Sequence, residues 1–169
     1  MSTNIITNVQ VKTLRWNQRL ADAENLCKVA AAAVWDTMDY TEKTFEVTIA
    51  LADDSIVKGL NLKFRNLNKP TNVLSFPSYG ENFLIPGDIS TLGDIIVAFE
   101  TVNAEAPARL TEHLSHLVVH GCLHLLGYDH QDEVEASKME DLEIKILASL
   151  GYQNPYDLDP DFKITKPIN

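Results

Sequence analysis

The chain has 169 residues, of which 45% are hydrophobic and 22% charged, as expected for one globular domain with a sizeable core. No apolar run approaches the roughly 20 residues of a membrane span, no signal-peptide pattern opens the chain, and Cys27 and Cys122 suggest no disulfide framework. We therefore expect a cytoplasmic protein without membrane contact, and its net charge of −10 argues mildly against non-specific nucleic-acid binding.

The first 65 residues predict two strands and two helices. The strands are expected at Asn4–Val11 and Phe45–Ala52, which are rich in β-branched residues. A helix is expected at Asn17–Met38, where apolar residues recur at helical spacing. A second helix should begin after the capping residues 53–55 and end at about Arg65.

The remainder of the chain predicts two more strands and two more helices. The strands are expected at Val73–Phe76 and Gly93–Phe99, separated by a loop over residues 78–91 that is rich in Gly, Pro, Ser and Asn. A histidine-rich helix should follow the capping residue Thr111. The final helix is expected at Val134–Leu150, with its acidic residues directed outward.

This order of elements, β-α-β-α-β-β-α-α, predicts one α+β domain in which helices pack on a mixed four-stranded sheet. We expect the domain to span residues 1–152 and residues 153–169 to form a C-terminal tail. The histidine-rich helix should lie at the centre, because apolar residues flank its histidines on both sides. Cys122 points away from the histidines and is expected to be a small core residue.

Three histidines at the end of this helix are the strongest chemical signal. His120 and His124 are four residues apart and therefore share one helix face. Gly127 can end the helix in a left-handed conformation, so that His130 folds back towards the pair. Three neutral imidazoles with one open position form the ligand set of a catalytic zinc ion, and we expect one Zn²⁺ here. The alternative is a histidine-rich helix face in contact with solvent.

The neighbouring positions qualify this interpretation. His116 lies eight residues before His124, roughly 12 Å along a helix, so His116 and His113 are expected to line a pocket or support the ligands. Zinc peptidases with this spacing carry a general-base Glu directly after the first histidine. Gly121 occupies that position, so the peptidase base is missing.

Residues 120–130, which read HGCLHLLGYDH, resemble the H-G-x-L-H-L-x-G-Y-D-H signature of the YbeY family of metal-dependent endoribonucleases. The sequence L-N-x-x-x-R at residues 60–65 is also similar to that family, as is TNVLSFP at residues 71–77. Two Gly-Asp-Ile segments, at residues 87–89 and 93–95, complete the resemblance, which covers roughly residues 58–130. Asn72 is a departure, because the family has Asp at that position.

The resemblance implies that His120, His124 and His130 are zinc ligands and that Arg65 contacts a phosphate near the metal. Without it, a surface ion pair would be the expected role of Arg65. The resemblance also implies a single-strand-specific endoribonuclease in ribosome biogenesis, which matures the 3′ end of small-subunit ribosomal RNA. Small-subunit proteins or assembly factors are then further partners. A polyanion would approach the first half of the chain, since residues 1–70 carry a net charge of +1 and residues 71–169 carry −11.

Two other classes of function stay open. One is a zinc peptidase or amidase, which the missing Glu disfavours. The other is a non-catalytic, ribosome-associated module with a structural metal ion. The general base is also open: Asp88, Asp94 and Asp129 are candidates beside a metal-activated water, although Asp129 is expected to orient a histidine.

Overall fold

A computed structural model of the protein describes residues 5–39, 44–78 and 89–158. Within these ranges the chain forms four strands and seven helices. They are β1 (Ile5–Val11), α1 (Arg15–Arg19), α2 (Ala23–Met38), β2 (Thr44–Ala52), α3 (Asp54–Arg65), β3 (Val73–Pro77), β4 (Ile89–Ala98), α4 (Phe99–Glu105), α5 (Leu110–Leu125), α6 (Glu133–Ser149) and α7 (Pro155–Leu158).

The four strands form one mixed sheet in the order β1-β2-β4-β3. Strands β1, β2 and β4 run parallel, whereas β3 pairs antiparallel with β4 and forms one edge. The α+β class and the mixed four-stranded sheet predicted from the sequence are therefore confirmed. Most of the predicted loop at residues 78–91 lies outside the described residues, and its last three residues belong to β4.

Helices cover both faces of the sheet, and α5 is the most buried of them. Side chains of α2, α5 and α6 join the large core cluster on one face, whereas Val57 of α3 belongs to a smaller cluster on the other face. Every residue of α5 from His113 to Leu125 is buried, Cys122 included. The prediction of a central histidine helix is confirmed.

The single helix predicted at Asn17–Met38 is wrong, because the chain breaks between α1 and α2. Leu20, which ends α1, is extended with φ −134° and ψ 98°. The break allows Trp16 to be fully buried, where its indole N–H donates a 2.9 Å hydrogen bond to the carbonyl of Ala52. This partner lies 36 residues away along the chain, so the pattern of helical spacing could not reveal it.

The strand predicted to reach Phe99 ends at Ala98, and helix α4, which the sequence pattern missed, begins there. Its capping carboxylate comes from α3: Asp54 Oδ1 accepts hydrogen bonds from the Thr101 backbone N–H at 3.1 Å and hydroxyl at 2.8 Å. Glu100 in turn accepts a hydrogen bond from the Asp54 backbone N–H at 2.9 Å. Each of the two helices therefore provides a carboxylate that accepts a hydrogen bond from the N-terminus of the other. These bonds satisfy backbone N–H groups that would otherwise need a cap from their own helix.

Helix boundaries elsewhere follow the local signals with one exception. Asp53 caps α3 as predicted, since its side chain accepts a hydrogen bond from the Ile56 N–H at 2.9 Å. Thr111 does not cap α5, because the helix already begins at Leu110, after Arg109. Gly151 follows α6 with φ +84°, as a residue that ends a helix.

A glycine, Gly93, permits a bulge in strand β4. The pairing of β2 with β4 shifts register between Glu46 and Val47, which leaves Leu92 as an extra residue on β4. The next residue, Gly93, has φ +138°, and a Cβ there would lie 2.1 Å from the carbonyl oxygen of Phe76. Only glycine fits at this bulge of β4, where the backbone of β3 lies against it.

We expect Gly93→Ala to lower the free energy of unfolding by at least about 3 kcal/mol, because it adds backbone strain to a steric clash. Gly59→Ala is the matched control: Gly59 lies in α3 with open space around its Cβ position, so alanine should stabilise the helix by about 1 kcal/mol. Urea denaturation of both variants measures the difference. A Gly93→Ala protein as stable as the wild type would contradict this account of the bulge.

Candidate metal centre

The turn after α5 brings the third histidine back towards the helix. Gly127 has φ +100°, and its N–H donates to the carbonyl of His124 at 3.0 Å. The next N–H, of Tyr128, donates to the carbonyl of Leu123 at 3.0 Å. These two bonds form the Schellman motif, which ends a helix and reverses the chain. The predicted role of Gly127 is confirmed.

His120, His124 and His130 converge at this turn. Each offers one nitrogen, and the three nitrogens lie within 4.8 Å of one another. The Nε2 atoms of His124 and His130 are 3.3 Å apart. Two nitrogens bound to one tetrahedral zinc ion at about 2.0–2.1 Å would be separated by about 3.3 Å, so this spacing already fits a metal ion. It is the one group of metal-ligating side chains found within the described ranges.

The chemistry of His120 also fits a metal. Its Nδ1 lies 2.8 Å from Glu143 Oε1, whereas its Nε2 is buried and has no hydrogen-bond partner in the described part of the chain. A buried polar nitrogen without a partner carries a free-energy cost, which a bound ion would remove. These observations fit an ion held by three imidazoles.

Electrostatics keep His124 neutral. Burial lowers its pKa to about 3, and the neighbouring His120 and His130 contribute to the same shift, against a smaller opposing effect of Asp129. A neutral imidazole has a free lone pair, which is the form that binds a metal. His124 is therefore in its metal-binding form at physiological pH.

Glu143 was missed by the sequence analysis, which expected the acidic residues of α6 to point outward. Its side chain is only 1% exposed, and Oε1 accepts hydrogen bonds from His116 and His120. Burial by itself would raise the pKa of this carboxyl, but the hydrogen bonds from His116 and His120 outweigh burial and hold its pKa well below the usual range. Its helical position, four residues after Met139 and three before Ile146, was the available signal, because both neighbours are buried.

Tyr156, in the segment expected to be a tail, completes this group. Its hydroxyl donates a 2.6 Å hydrogen bond to Glu143 Oε2, and its ring packs edge-on against His116. Burial and the charge of Glu143 raise the pKa of Tyr156, so its hydroxyl stays protonated as a donor. Residues 159–169 of the predicted tail lie outside the described residues.

A second buried network includes Asn72 and lies near the start of α5. Asn72 is fully buried, and its amide donates to both carboxylate oxygens of Glu105 at 3.2 and 3.3 Å. Glu105 Oε1 also lies 2.9 Å from His113 Nε2. An aspartate in place of Asn72 would set two carboxylates against each other, so the amide suits this site. His113 lies two turns from His120, which separates this network from the candidate ligands.

Gly121 lies on the side of α5 that packs against the sheet. A Cβ on Gly121 would lie 2.9 Å from Cδ1 and 3.1 Å from Cγ1 and Cγ2 of Ile95 on β4. Its lack of a side chain lets α5 approach β4 closely. A side chain at this position would press on Ile95 of the sheet.

The side chain of Asp129 contacts the backbone of His130. Its Oδ1 accepts a 2.7 Å hydrogen bond from the backbone N–H of His130, so it holds the chain that carries the third histidine. Asp94 is an exposed residue of β4. Asp88 lies outside the described residues.

The described contacts of Arg65 are with strand β3 and include none of the three histidines. Its guanidinium carbon is 5.4 Å from the centroid of the Phe76 ring, on edge strand β3. Its Nε and Nη1 atoms are buried and have no hydrogen-bond partner among residues 5–39, 44–78 and 89–158, and burial lowers its pKa. The expected surface ion pair is therefore absent from these residues, and the partly buried guanidinium, with two unpaired nitrogens among them, could bind an anion.

None of the described helices is both long and apolar enough to cross a membrane. A family model described as "Endoribonuclease YbeY" matches residues 8–151. The chain is similar to "Endoribonuclease YbeY" of Paramagnetospirillum magneticum, with 45% identity over 92% of this chain and 98% of that one. It is also similar to the protein of the same name from Bradyrhizobium diazoefficiens, with 44% identity over 89% and 85% of the two chains.

Among solved structures, the fold is similar to the solution structure of TM1509 from Thermotoga maritima. The TM-score is 0.51 at 24% identity, and the match covers 94% of this chain and all of that one. At this identity the likeness supports the fold alone.

For the metal-free protein, we expect stability to fall as the pH is lowered from about 6.5 towards 3. The unfolded chain protonates His124 with a pKa of about 6.5, whereas the folded chain does so only at about 3. Acid therefore favours the unfolded state over this range.

The test compares the melting temperature of chelator-treated wild type and His124→Gln across this range. The variant should lose less stability in acid, since it lacks the group that titrates. Parallel pH profiles for the two proteins would contradict the assignment.

Proposed function

Because the chain belongs to the YbeY family of endoribonucleases, we propose that it is a zinc-dependent endoribonuclease specific for single-stranded RNA. Its proposed role is the maturation of ribosomal RNA, including the 3′ end of the small-subunit RNA, during ribosome biogenesis in the cytoplasm. The observation that carries the proposal is the convergence of His120, His124 and His130 to within 4.8 Å, beside a helix end that reverses the chain.

One Zn²⁺ ion is the proposed cofactor, with His120, His124 and His130 as its ligands. Imidazole nitrogens suit zinc, and three of them leave a fourth position for water or substrate, as in catalytic zinc sites. Zinc bound there would supply Lewis-acid activation of water or of a phosphate oxygen. Burial keeps the His124 imidazole neutral, and a hydrogen bond to Glu143 fixes the direction of the His120 ring.

Arg65 is proposed to bind the phosphate of the RNA. Its planar guanidinium can donate two parallel hydrogen bonds to phosphate oxygens, and two of its nitrogens lack a partner in the described structure. The same donors would stabilise negative charge that develops on the phosphate during cleavage. Phe76, which packs against the guanidinium, would hold it in place for this contact.

Single-stranded RNA is the substrate that suits this site. Two of the three candidate ligands are buried and the third is only partly exposed, so the scissile phosphate must enter a recess. A flexible single strand can be splayed into such a site, whereas a stacked duplex cannot. The acidic second half of the chain leaves RNA contacts to the first half and is a candidate surface for small-subunit proteins or assembly factors.

We propose residues 1–152 as the metallohydrolase domain and residues 153–169 as a C-terminal extension. A peptidase or amidase is disfavoured, since Gly121 packs on Ile95 where the peptidase base would have to be. A structural metal in a non-catalytic module would need a fourth protein ligand, and the described residues offer a group of three.

Substitution of His124 tests the metal and the activity together. Zinc-loaded wild type should cleave a single-stranded ribosomal RNA fragment, whereas folded His124→Ala should bind zinc weakly and cleave no faster than background. The measurements are gel analysis of the RNA and metal content after dialysis, with circular dichroism as the check on folding. His113→Gln is the matched control, because it alters a buried histidine of the same helix outside the cluster and should retain both properties.

Two other outcomes of the His124→Ala experiment would lead to different conclusions. Equal cleavage by wild type and His124→Ala would show that the activity does not belong to this site. Zinc binding without cleavage by the wild type would favour a structural metal or an enzyme that depends on a ribosomal partner.

A substitution of Arg65 that keeps the positive charge tests the phosphate contact. Arg65→Lys should lower kcat by about 100-fold, because lysine keeps the charge but loses the bidentate contact with phosphate. Lys63→Ala is the control, since it removes an exposed cation from the same helix turn and should change kcat little. Single-turnover cleavage of the same RNA measures both. A variant with Lys at position 65 and full activity would exclude the proposed phosphate contact.

A further inference from the structure

Three helices meet at the carboxylate of Glu143. Oε1 lies 2.8 Å from His120 Nδ1 and 3.1 Å from His116 Nε2, both on α5. Oε2 accepts a 2.6 Å hydrogen bond from the hydroxyl of Tyr156, on α7. Glu143 itself lies on α6 and is 1% exposed, so water does not compete for these bonds.

This geometry selects one tautomer of His120. A carboxylate can only accept a hydrogen bond, so the proton of the neutral His120 ring must be on Nδ1. The lone pair is then on Nε2, which is buried without a hydrogen-bond partner in the described chain. The opposite tautomer would place a lone pair against the carboxylate and an N–H where the metal is expected. Only the tautomer favoured by Glu143 can bind a metal through Nε2.

We propose that Glu143 and Tyr156 are positioning residues of the metal centre, in addition to the family ligands. Glu143 fixes the tautomer and ring orientation of His120 and increases the electron-donating power of Nε2. Tyr156 fixes the second oxygen of Glu143, so that the carboxylate cannot rotate away from His120. Residues beyond position 152, outside the proposed domain boundary, thereby support metal binding. The inference rests on the proposed zinc site.

Zinc affinity is the main test, measured by competition with a chromophoric chelator. Glu143→Gln should bind zinc about 10- to 100-fold more weakly than the wild type, because the amide keeps the size of the side chain but loses its charge. Glu140→Gln is the matched control: it removes the same charge one turn earlier on α6 from an exposed position, and its affinity should equal that of the wild type. A loss shared equally by both variants would reduce the effect to long-range electrostatics and overturn the proposal.

Tyr156→Phe tests the outer member of the group. It removes only the hydroxyl and should weaken zinc binding less than Glu143→Gln does. Tyr152→Phe is its control and should leave the affinity unchanged, since no hydrogen bond joins Tyr152 to Glu143 in the described contacts. Unchanged affinity in Tyr156→Phe would overturn the part of the proposal that concerns Tyr156.

A second measurement needs no variant and remains decisive if Glu143→Gln does not fold. Nitrogen-15 NMR of the metal-free wild type at mildly alkaline pH reports the tautomer of each histidine ring. His120 should be protonated at Nδ1, and protonation at Nε2 would overturn the proposal. Failure of the zinc site can be told apart from failure of this inference. A wild type that binds no zinc overturns both. Equal zinc binding by the wild type and Glu143→Gln overturns this inference alone.

Discussion

Helix α5 carries four histidines through the interior of the protein, and each buried imidazole needs a partner for its polar nitrogens. This requirement organises the surrounding elements. His113 faces Glu105 of α4, and His116 and His120 share Glu143 of α6. At the end of the helix His124 meets His130 instead of a carboxylate. The carboxylates therefore occupy one end of the stripe, and the other end is left as a cluster of nitrogens suited to a metal.

The close contact between α5 and the sheet places this stripe. Gly121 allows α5 to approach Ile95 on β4, and Gly93 allows the β4 backbone to approach Phe76 on β3. A Cβ at Gly93 would lie 2.1 Å from the Phe76 backbone oxygen, whereas a Cβ at Gly121 would press on the side chain of Ile95. Phe76 in turn contacts Arg65. The packing of the sheet thus links the helix that carries the histidines to the strand that supports the guanidinium.

The C-terminal segment, which was predicted to be a tail, contributes contacts behind the candidate ligands. The Tyr156 hydroxyl donates a hydrogen bond to Glu143 on α6, and its ring contacts His116. The C-terminal helix therefore belongs to the set of contacts behind the candidate ligands. Asn72 has a similar local explanation, since its amide donates to Glu105 where a carboxylate would be repelled.

The sequence by itself determined the strands, the α+β class, the central position of the histidine helix and the three candidate ligands. These features depend on signals within a few residues of one another: β-branched composition, helical spacing, the cap at Asp53 and the glycine at position 127. The tertiary structure decided the rest. Asp54 starts α4 from 47 residues away, and Ala52 binds Trp16 and separates α1 from α2. Glu143 points inward because His116, His120 and Tyr156 surround it, and such partners become neighbours only when the chain folds.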